Sequence, residues 1–361
     1  MKRLFEIMMF LFAFILLVGC DAQSLGADNP VTVRGEMKVY FFDIDQGDAT
    51  LLKGDDFSVL IDAGRHDRKD VVEHLKSVGV TELDVVVGTH PHGDHIGQIA
   101  NVLESFPVKE VWLSGNEHSS KTYERTIDAI LASDAEYYEP RAGETFDIGS
   151  LVLEVINPTE INGDFHDGCI SIRARFGETE ILFTGDAEKE TEEKMIERGH
   201  DLRADVFQLG HHGSSTSNSR EFLEAIDPDV AIYSAGRNND YGHPHREVVQ
   251  LLDELEITTY GTDINGTIVL TSNGKTYEIR TEFVSQVQEQ TVEAKQEISN
   301  CIDINTATAE ELEKIVHIGR ERVDDLISLR PYQSVKELTK INGIGKGRIK
   351  DIIEEKLACV Q

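Results

Sequence analysis

Three histidines and an aspartate fall within six residues in Thr89-His90-Pro91-His92-Gly93-Asp94-His95, directly after the apolar run Leu83-Asp84-Val85-Val86-Val87-Gly88. Polar groups clustered at a strand end gain little from burial unless something binds them, and imidazoles and carboxylates together bind metal. His90 and His92 stand two apart, so in extended backbone they point the same way, while Asp94 and His95 follow on the turn. Two pairs of ligands aimed at adjacent points suit a two-metal site. Two cations need more ligands, and each further candidate ends a strand-like run. Asp186 follows Ile181-Leu182-Phe183-Thr184-Gly185, where a carboxylate can bridge two cations. His211 and His212 end Val206-Phe207-Gln208-Leu209-Gly210, and His243 and His245 lie past Ala231-Ile232-Tyr233-Ser234.

Elements that must position these groups are legible from periodicity. Apolar or alternating runs predict strands over 37–44, 58–64, 83–88, 108–113 and 151–156, and again over 169–176, 180–184, 204–209 and 229–234. Residues 67–79 place Val71, Val72, Leu75 and Val78 at helical spacing and stop at Gly79; further helices are predicted over 96–106, 121–132, 188–198, 220–226 and 246–255. Short strands near Thr258, Thr267 and Thr276 close the region. Strands interleaved with helices predict an α/β fold of sheets covered by helices, not an all-β barrel.

The chain has 361 residues, 40% of them hydrophobic, and a formal charge of -31. That length buries a sizeable core and suggests two domains. Residues 301–361 carry 10 Lys and Arg against 11 Asp and Glu, so nearly all of the acidic excess precedes them. Such a field favours solubility and disfavours tight nonspecific nucleic-acid binding by the large region, although a metal-lined cleft reverses the sign locally.

Residues 1–19 read as a secretory signal, with Lys2 and Arg3 ahead of an apolar run too short to predict a membrane span. The run ends Leu17-Val18-Gly19-Cys20, which resembles a bacterial lipobox. The resemblance implies lipidation of Cys20, a polar tether over 20–35, and an extracytoplasmic lipoprotein anchored to the membrane, at the cell surface or in the periplasm. Cys301 and Cys359 flank the last domain, and export permits a disulfide between them, with two free thiols as the alternative. Cys169 reads as a small core residue.

The metal-rich stretch 90–95, with Leu60-Ile61-Asp62-Ala63-Gly64 upstream and Phe183-Thr184-Gly185-Asp186 downstream, is similar to the metallo-β-lactamase superfamily. The stretches at 43–50 (DIDQGDAT), 209–217 (LGHHGSSTS), 241–245 (YGHPH) and 262–270 (TDINGTIVL) further resemble the nuclease-like domain of the bacterial competence DNA-uptake channel. This resemblance implies a four-layer αββα sandwich over residues 36–283 and a ligand set. His90 and His92 would hold the first of two divalent cations, zinc or manganese; Asp94 and His95 would hold the second, and Asp186 would bridge. His243 matches the last ligand of the phosphodiesterase branch. His211 or His212 matches the histidine that protonates the leaving oxygen, and Asp94 belongs to the catalytic group as well. Asp62 matches the acid that orients a metal-binding histidine; Asp48 shares that role or caps a turn. The third histidine of the first site should precede the strand at Cys169, where His166 is the candidate, with Asp167 or water as alternatives.

After a linker over 284–300 that lacks Gly and Pro, residues 301–361 hold two similar helix-turn-helix units. Thr308 and Glu311 form a capping box in the first, Ser334 and Glu337 in the second. The turns are His317-Ile318-Gly319 and Gly343-Ile344-Gly345. A glycine turn opening a helix presents backbone N–H groups that suit a phosphate. The pattern resembles the tandem helix-hairpin-helix domain of the competence DNA receptor. It implies a small all-α domain that contacts the DNA backbone without sequence preference, through Gly343, Ile344, Gly345, Lys346 and Arg348. His317 stands where that family usually has glycine, which leaves the second turn as the better phosphate site.

Together these resemblances imply an exported metal-dependent phosphodiesterase, a DNase acting on extracellular DNA beside DNA-uptake machinery. The same motifs also allow a phosphodiesterase of cell-envelope phosphoesters, such as a phosphocholine-bearing polymer, or a DNA-binding surface lipoprotein without turnover.

Overall fold

The computed structural model describes residues 33, 35–283, 302–332, 334–355 and 357–360. The expected signal segment, Cys20, most of the tether, the linker over 284–300 and Cys301 lie outside the described residues. Among the described residues no helix is long and apolar enough to cross a membrane.

Strands β1 (Met37–Phe41), β2 (Thr50–Lys53), β3 (Ser58–Ile61), β4 (Leu83–Gly88), β5 (Val108–Leu113) and β6 (Glu136–Tyr138) share one sheet. A second sheet takes β7 (Thr145–Ile148), β8 (Leu151–Asn157), β9 (Ser171–Phe176), β10 (Thr179–Phe183), β11 (Val206–Gln208), β12 (Val230–Tyr233) and β13 (Thr258–Gly261). The chain then returns to the first through β14 (Ile268–Ser272) and β15 (Tyr277–Thr281), which gives the order β15-β14-β1-β2-β3-β4-β5-β6.

The two-residue period of each strand makes the layers. Val59 and Ile61 of β3 and Val85 and Val87 of β4 point into a core shared with Ile181 and Phe183 of β10 and Val230 and Ile232 of β12. Their neighbours point the other way. Leu60 and Val86 pack under α1 (Asp70–Ser77), α2 (Ile99–Ser105) and α3 (Lys121–Ala132), through Val71, Leu75, Ile99, Val102 and Ile130. Leu182, Phe207 and Ala231 face α4 (Lys189–Glu197), α5 (Arg220–Ile226) and α6 (Arg246–Glu254), through Met195, Phe222, Leu223, Val248 and Leu252. The result is the αββα sandwich expected from the sequence, and a single turn, α7 (Thr262–Asn265), leads into β14. Periodicity does not predict β6 or β7, because both are short edge strands: β6 is exposed throughout, and β7 turns only Phe146 and Ile148 toward the core.

Residues 302–360 have their own core of Ile304, Leu312, Ile315, Ile318, Val323, Leu326, Tyr332, Leu338, Ile341, Ile344 and Ile352. The first unit joins α8 (Ala309–Leu312), opened by the Thr308–Glu311 capping box, to α9 (Arg320–Ser328). The second joins a 3-10 segment (Val335–Lys340) to α10 (Lys346–Glu355). Ser334 makes no side-chain cap, contrary to the sequence expectation; the tighter 3-10 turn instead directs Glu337 to Lys340, 2.9 Å away. β16 (Ile302–Asp303) and β17 (Ala358–Cys359) pair in parallel, and Cys359 is disulfide-bonded.

Candidate metal centre

β4 is buried along most of its length and delivers Thr89 and His90 to one edge of the two sheets. Gly88 is required there, since a Cβ would stand 2.7 Å from Leu113 and 2.8 Å from Ile96. Asp62, just past β3, fastens the strand end by accepting from the Thr89 backbone N–H and hydroxyl, each at 2.8 Å. It also accepts from Nδ1 of His95 at 2.7 Å.

Asp186 leaves β10 through Gly185, which takes a left-handed φ of +52° and would place a Cβ 2.9 Å from the Thr89 hydroxyl. Its two oxygens face different imidazoles. Oδ1 lies 3.2 Å from Nε2 of His95 and 3.9 Å from Nε2 of His212. Oδ2 lies 3.4 Å from Nε2 of His90 and 3.6 Å from Nε2 of His211. Around Oδ2, Nε2 of His90 and Nδ1 of His92 stand 3.0 Å apart. Around Oδ1, Nε2 of His212 is 3.5 Å from the Asp94 carboxylate.

Two ligand groups therefore share one carboxylate: His90, His92 and Asp186 converge on one side, and His95, His212, Asp48 and Asp186 on the other, where Asp94 reaches the group through His212. Nε2 of His95, Oδ1 of Asp186 and Nε2 of His212 are buried without a hydrogen-bond partner. Burying such an atom unpaired costs about 1–3 kcal/mol. Three of them converging on one point fit a divalent cation. The outward nitrogens settle the tautomers: Nδ1 of His95 donates to Asp62, and Nδ1 of His212 to the Ser234 carbonyl at 3.0 Å. Both therefore turn Nε2 inward, where a cation would take the place of the proton that the surrounding carboxylates favour.

Electrostatics follow the same division. Burial opposes ionisation of Asp186, but His95, His90 and His212 hold it well below the usual carboxylate range. His92 is pushed down to about 4 by burial and by His90. His212 goes the other way: burial lowers it, yet the charges of Asp48 and Asp186 and the Asp94 carboxylate 3.5 Å away lift it to about 9.

His211 and His212 sit in a tight turn between Gly210 and Gly213, both in the left-handed region at φ 52° and 55°. Such backbone costs about 1–3 kcal/mol per residue and persists only where neighbours impose it. Asn218 imposes it here, accepting from Gly210 N–H at 3.0 Å and donating to the carbonyls of Gly210 (2.9 Å) and Ser214 (3.1 Å). Glu192 of α4 in turn accepts from the Asn218 and Ser219 N–H groups, at 2.5 and 2.9 Å.

Other expected residues fall around this centre. His243, expected as the last ligand, lies beside the cluster, its ring 5.9 Å from that of His212 and 5.7 Å from that of His211. Its Nδ1 is buried without a hydrogen-bond partner, while among the described residues its nitrogens join none of the converging groups, into which the left-handed turn swings His212. His166 lies on the outer side with its Nδ1 3.5 Å from Glu188, and the same carboxylate oxygen is 3.6 Å from Nδ1 of His211. Asp167, the alternative to His166, is taken up by Lys194 and Thr191, each at 2.9 Å. Asp48 stands behind the imidazoles, 3.9 Å from Nδ1 of His95 and 3.8 Å from Nδ1 of His212, and accepts from Gln208 at 2.9 Å.

Sequence reasoning missed Gln208, Glu188, Glu192 and Asn218. A glutamine inside the apolar run of β11 was a usable signal; nothing in sequence marks the Glu192–Asn218 clamp.

In the C-terminal module the second turn places Gly343 at φ +85°, with Ile344 buried and open space around the Cα of Gly345. Arg348 donates to the Gly343 carbonyl at 2.7 Å. Lys346 opens α10, its side chain outside the described part. His317 adopts φ 62° at the matching place in the first turn and pairs with Asp351 of α10 at 2.6 Å.

Residues 43–237 match the metallo-beta-lactamase superfamily, and residues 298–354 match the helix-hairpin-helix motif. ComE operon protein 3 of Bacillus subtilis is 32% identical over 201 residues, 55% of this chain and 26% of that protein. Recombination protein 2 of Haemophilus influenzae is 28% identical over 234 residues, 63% of this chain and 28% of that protein. Competence protein ComA of Neisseria gonorrhoeae is 28% identical over 249 residues, 65% of this chain and 32% of that protein. The chain thus spans about a quarter to a third of the length of these curated relatives. Among solved structures, the metallo-beta-lactamase fold protein YhfI of Bacillus subtilis is 13% identical, with a TM-score of 0.46 over 66% of this chain and 100% of that one.

Proposed function

We propose, from the premise that this chain belongs to the metallo-beta-lactamase superfamily, that it is a metal-dependent phosphodiesterase that cleaves DNA outside the cytoplasm. The observation that carries this reading is the division of Asp186 between two histidine groups, in a chain that also holds a helix-hairpin-helix motif.

His90, His92 and Asp186 would hold one cation, and Asp94, His95, His212 and Asp186 the other. Two divalent ions so placed would supply Lewis acidity toward a phosphate and a nucleophilic water at neutral pH. Asp62 and the Ser234 carbonyl keep His95 and His212 in the ligating tautomer. With His212 engaged, His211 is the proton carrier: it lines the cavity, and Glu188 and the Thr216 hydroxyl hold its Nδ1 at 3.6 and 3.3 Å. Water oxygen bonds to phosphorus, the bond from phosphorus to the sugar oxygen breaks, and His211, whose pKa burial lowers, relays to that oxygen the proton released by the attacking water.

The turn at 343–345 would grip duplex backbone, and lipidation at Cys20 would tether the protein to the membrane near DNA-uptake machinery. The test is plasmid cleavage by the full chain with zinc or manganese. We expect cleavage that ethylenediaminetetraacetate abolishes and that falls at least a hundredfold in His92→Ala. A wild-type protein that leaves DNA intact with both metals but hydrolyses phosphocholine esters would assign the site to envelope chemistry instead.

A further inference from the structure

The cavity over the metal-ligand cluster, ≈ 500 Å³ and lined by His92, His211 and His243 among others, continues into a second cavity of ≈ 430 Å³. Gln46, His66, Gly93, Asp94 and Tyr241 line both. We propose that this second cavity is the subsite for an unpaired nucleotide adjoining the scissile phosphodiester, its base on Tyr241 and its phosphate on Arg237. The proposal rests on the phosphodiesterase reading and narrows its substrate to a nucleotide chain presented as a single strand.

Tyr241 is 65% exposed, yet its ring is held nearly parallel to that of His243, 20° off plane with centroids 5.7 Å apart. The loop carrying it is fastened at both ends by Asn239, which donates to the carbonyls of Gly236 (2.9 Å) and His243 (2.7 Å) and accepts from His243 N–H at 3.0 Å. An exposed aromatic ring, flat, braced and opening onto a phosphodiester-cleaving centre, is a platform for a base. A base inside a duplex is already stacked on both faces, so the platform selects an unpaired one.

The charge of the cavity agrees. Arg65 is neutralised by Asp67, its Nε and Nη2 donating at 2.9 and 2.7 Å. Arg237 spends only Nε, on the Asp263 carbonyl at 3.1 Å, and forms no ion pair among the described residues. In a chain of formal charge -31, an uncommitted guanidinium beside the centre is a selective place for a second phosphate. Of the carboxylates there, Asp94 would be offset by the cations, Asp45 shares Arg68 with Asp70 at 3.2 against 2.6 Å, and Asp240 lies exposed on the rim, where solvent screens it.

Binding, not turnover, tests this. The metal-loaded full chain is titrated calorimetrically with a 5′-phosphorylated thymidine dinucleotide bearing a hydrolysis-resistant phosphorothioate link, and separately with inorganic phosphate. We expect the dinucleotide to bind more tightly than phosphate. Tyr241→Ala should reduce that preference about tenfold or more, the measure of a lost base stack, while Tyr241→Phe keeps it. Arg237→Ala should lower dinucleotide affinity and flatten its log-log salt dependence by about one. A preference that survives both Tyr241→Ala and Arg237→Ala overturns the subsite. Loss of the preference in a protein that cleaves no DNA would keep the subsite and overturn the nuclease reading; efficient cleavage with an unaltered preference would do the reverse.

Discussion

Nδ1 of His95 donates to Oδ2 of Asp62 across 2.7 Å, and that same oxygen accepts the Thr89 hydroxyl at 2.8 Å. One buried carboxylate therefore fixes both the tautomer of His95 and the strand end that carries His90. Asp62→Ala should weaken divalent-cation affinity about 10–100-fold, read by competition with a chromogenic chelator. Unchanged affinity would mean that packing alone orients His95.

His212 offers a pH test. Before a cation binds, burial lowers its pKa, but Asp48, Asp186 and the nearby Asp94 carboxylate raise it to about 9. At neutral pH that imidazole is protonated, so cation uptake must displace a proton. The sign follows: below about 9 the proton competes with the cation, and apparent affinity falls by up to about tenfold per pH unit for this one proton. Chelator competition at successive pH values between 6 and 9 should show affinity rising with pH, with proton release in weakly buffered solution.

Asn218 is the brace of the His211–His212 turn. Asn218→Ala removes its bonds to Gly210 and Ser214 and puts alanine at φ 62°, where asparagine is far better tolerated. Urea unfolding should register a loss of about 2–4 kcal/mol. The cation group containing His212 should be weakened more than the one containing His90 and His92.

The tail makes a separable prediction. If the second turn grips phosphate, Arg348→Ala should lower the affinity of the full chain for duplex DNA similarly across sequences and reduce the log-log salt slope by about one. Filter binding at several salt concentrations measures both. A slope equal to that of wild type would leave Arg348 as a brace for the Gly343 carbonyl only.

Much of the architecture was legible because sandwich strands alternate. Val85, Val86 and Val87 announce a strand buried on both faces, and the imidazoles that follow can only leave at its end. The edge strand at 136–138 escaped because its residues are all exposed, and the one at 145–148 because two half-buried residues, Phe146 and Ile148, are too short a period to stand out. At the centre, residue types were readable but aim was not. His211, His212 and His243 are equivalent along the chain, and left-handed backbone at 211–212, imposed by an asparagine several residues on, turns His212 and not His243 toward Asp186. Similarly, Asp48 resembles any turn aspartate until Gln208 is seen bonded to it from the other sheet.

The inward-facing donors come from both halves of the sandwich: 90–95 follow β4 in one sheet, while 186 and 212 follow β10 and β11 in the other. A cation pair would therefore rivet the two leaves along one margin as well as serve the chemistry. Stripped of its ions, the protein should breathe open at that margin and fall to proteases sooner, so that its lifetime in any environment would track the supply of metal there.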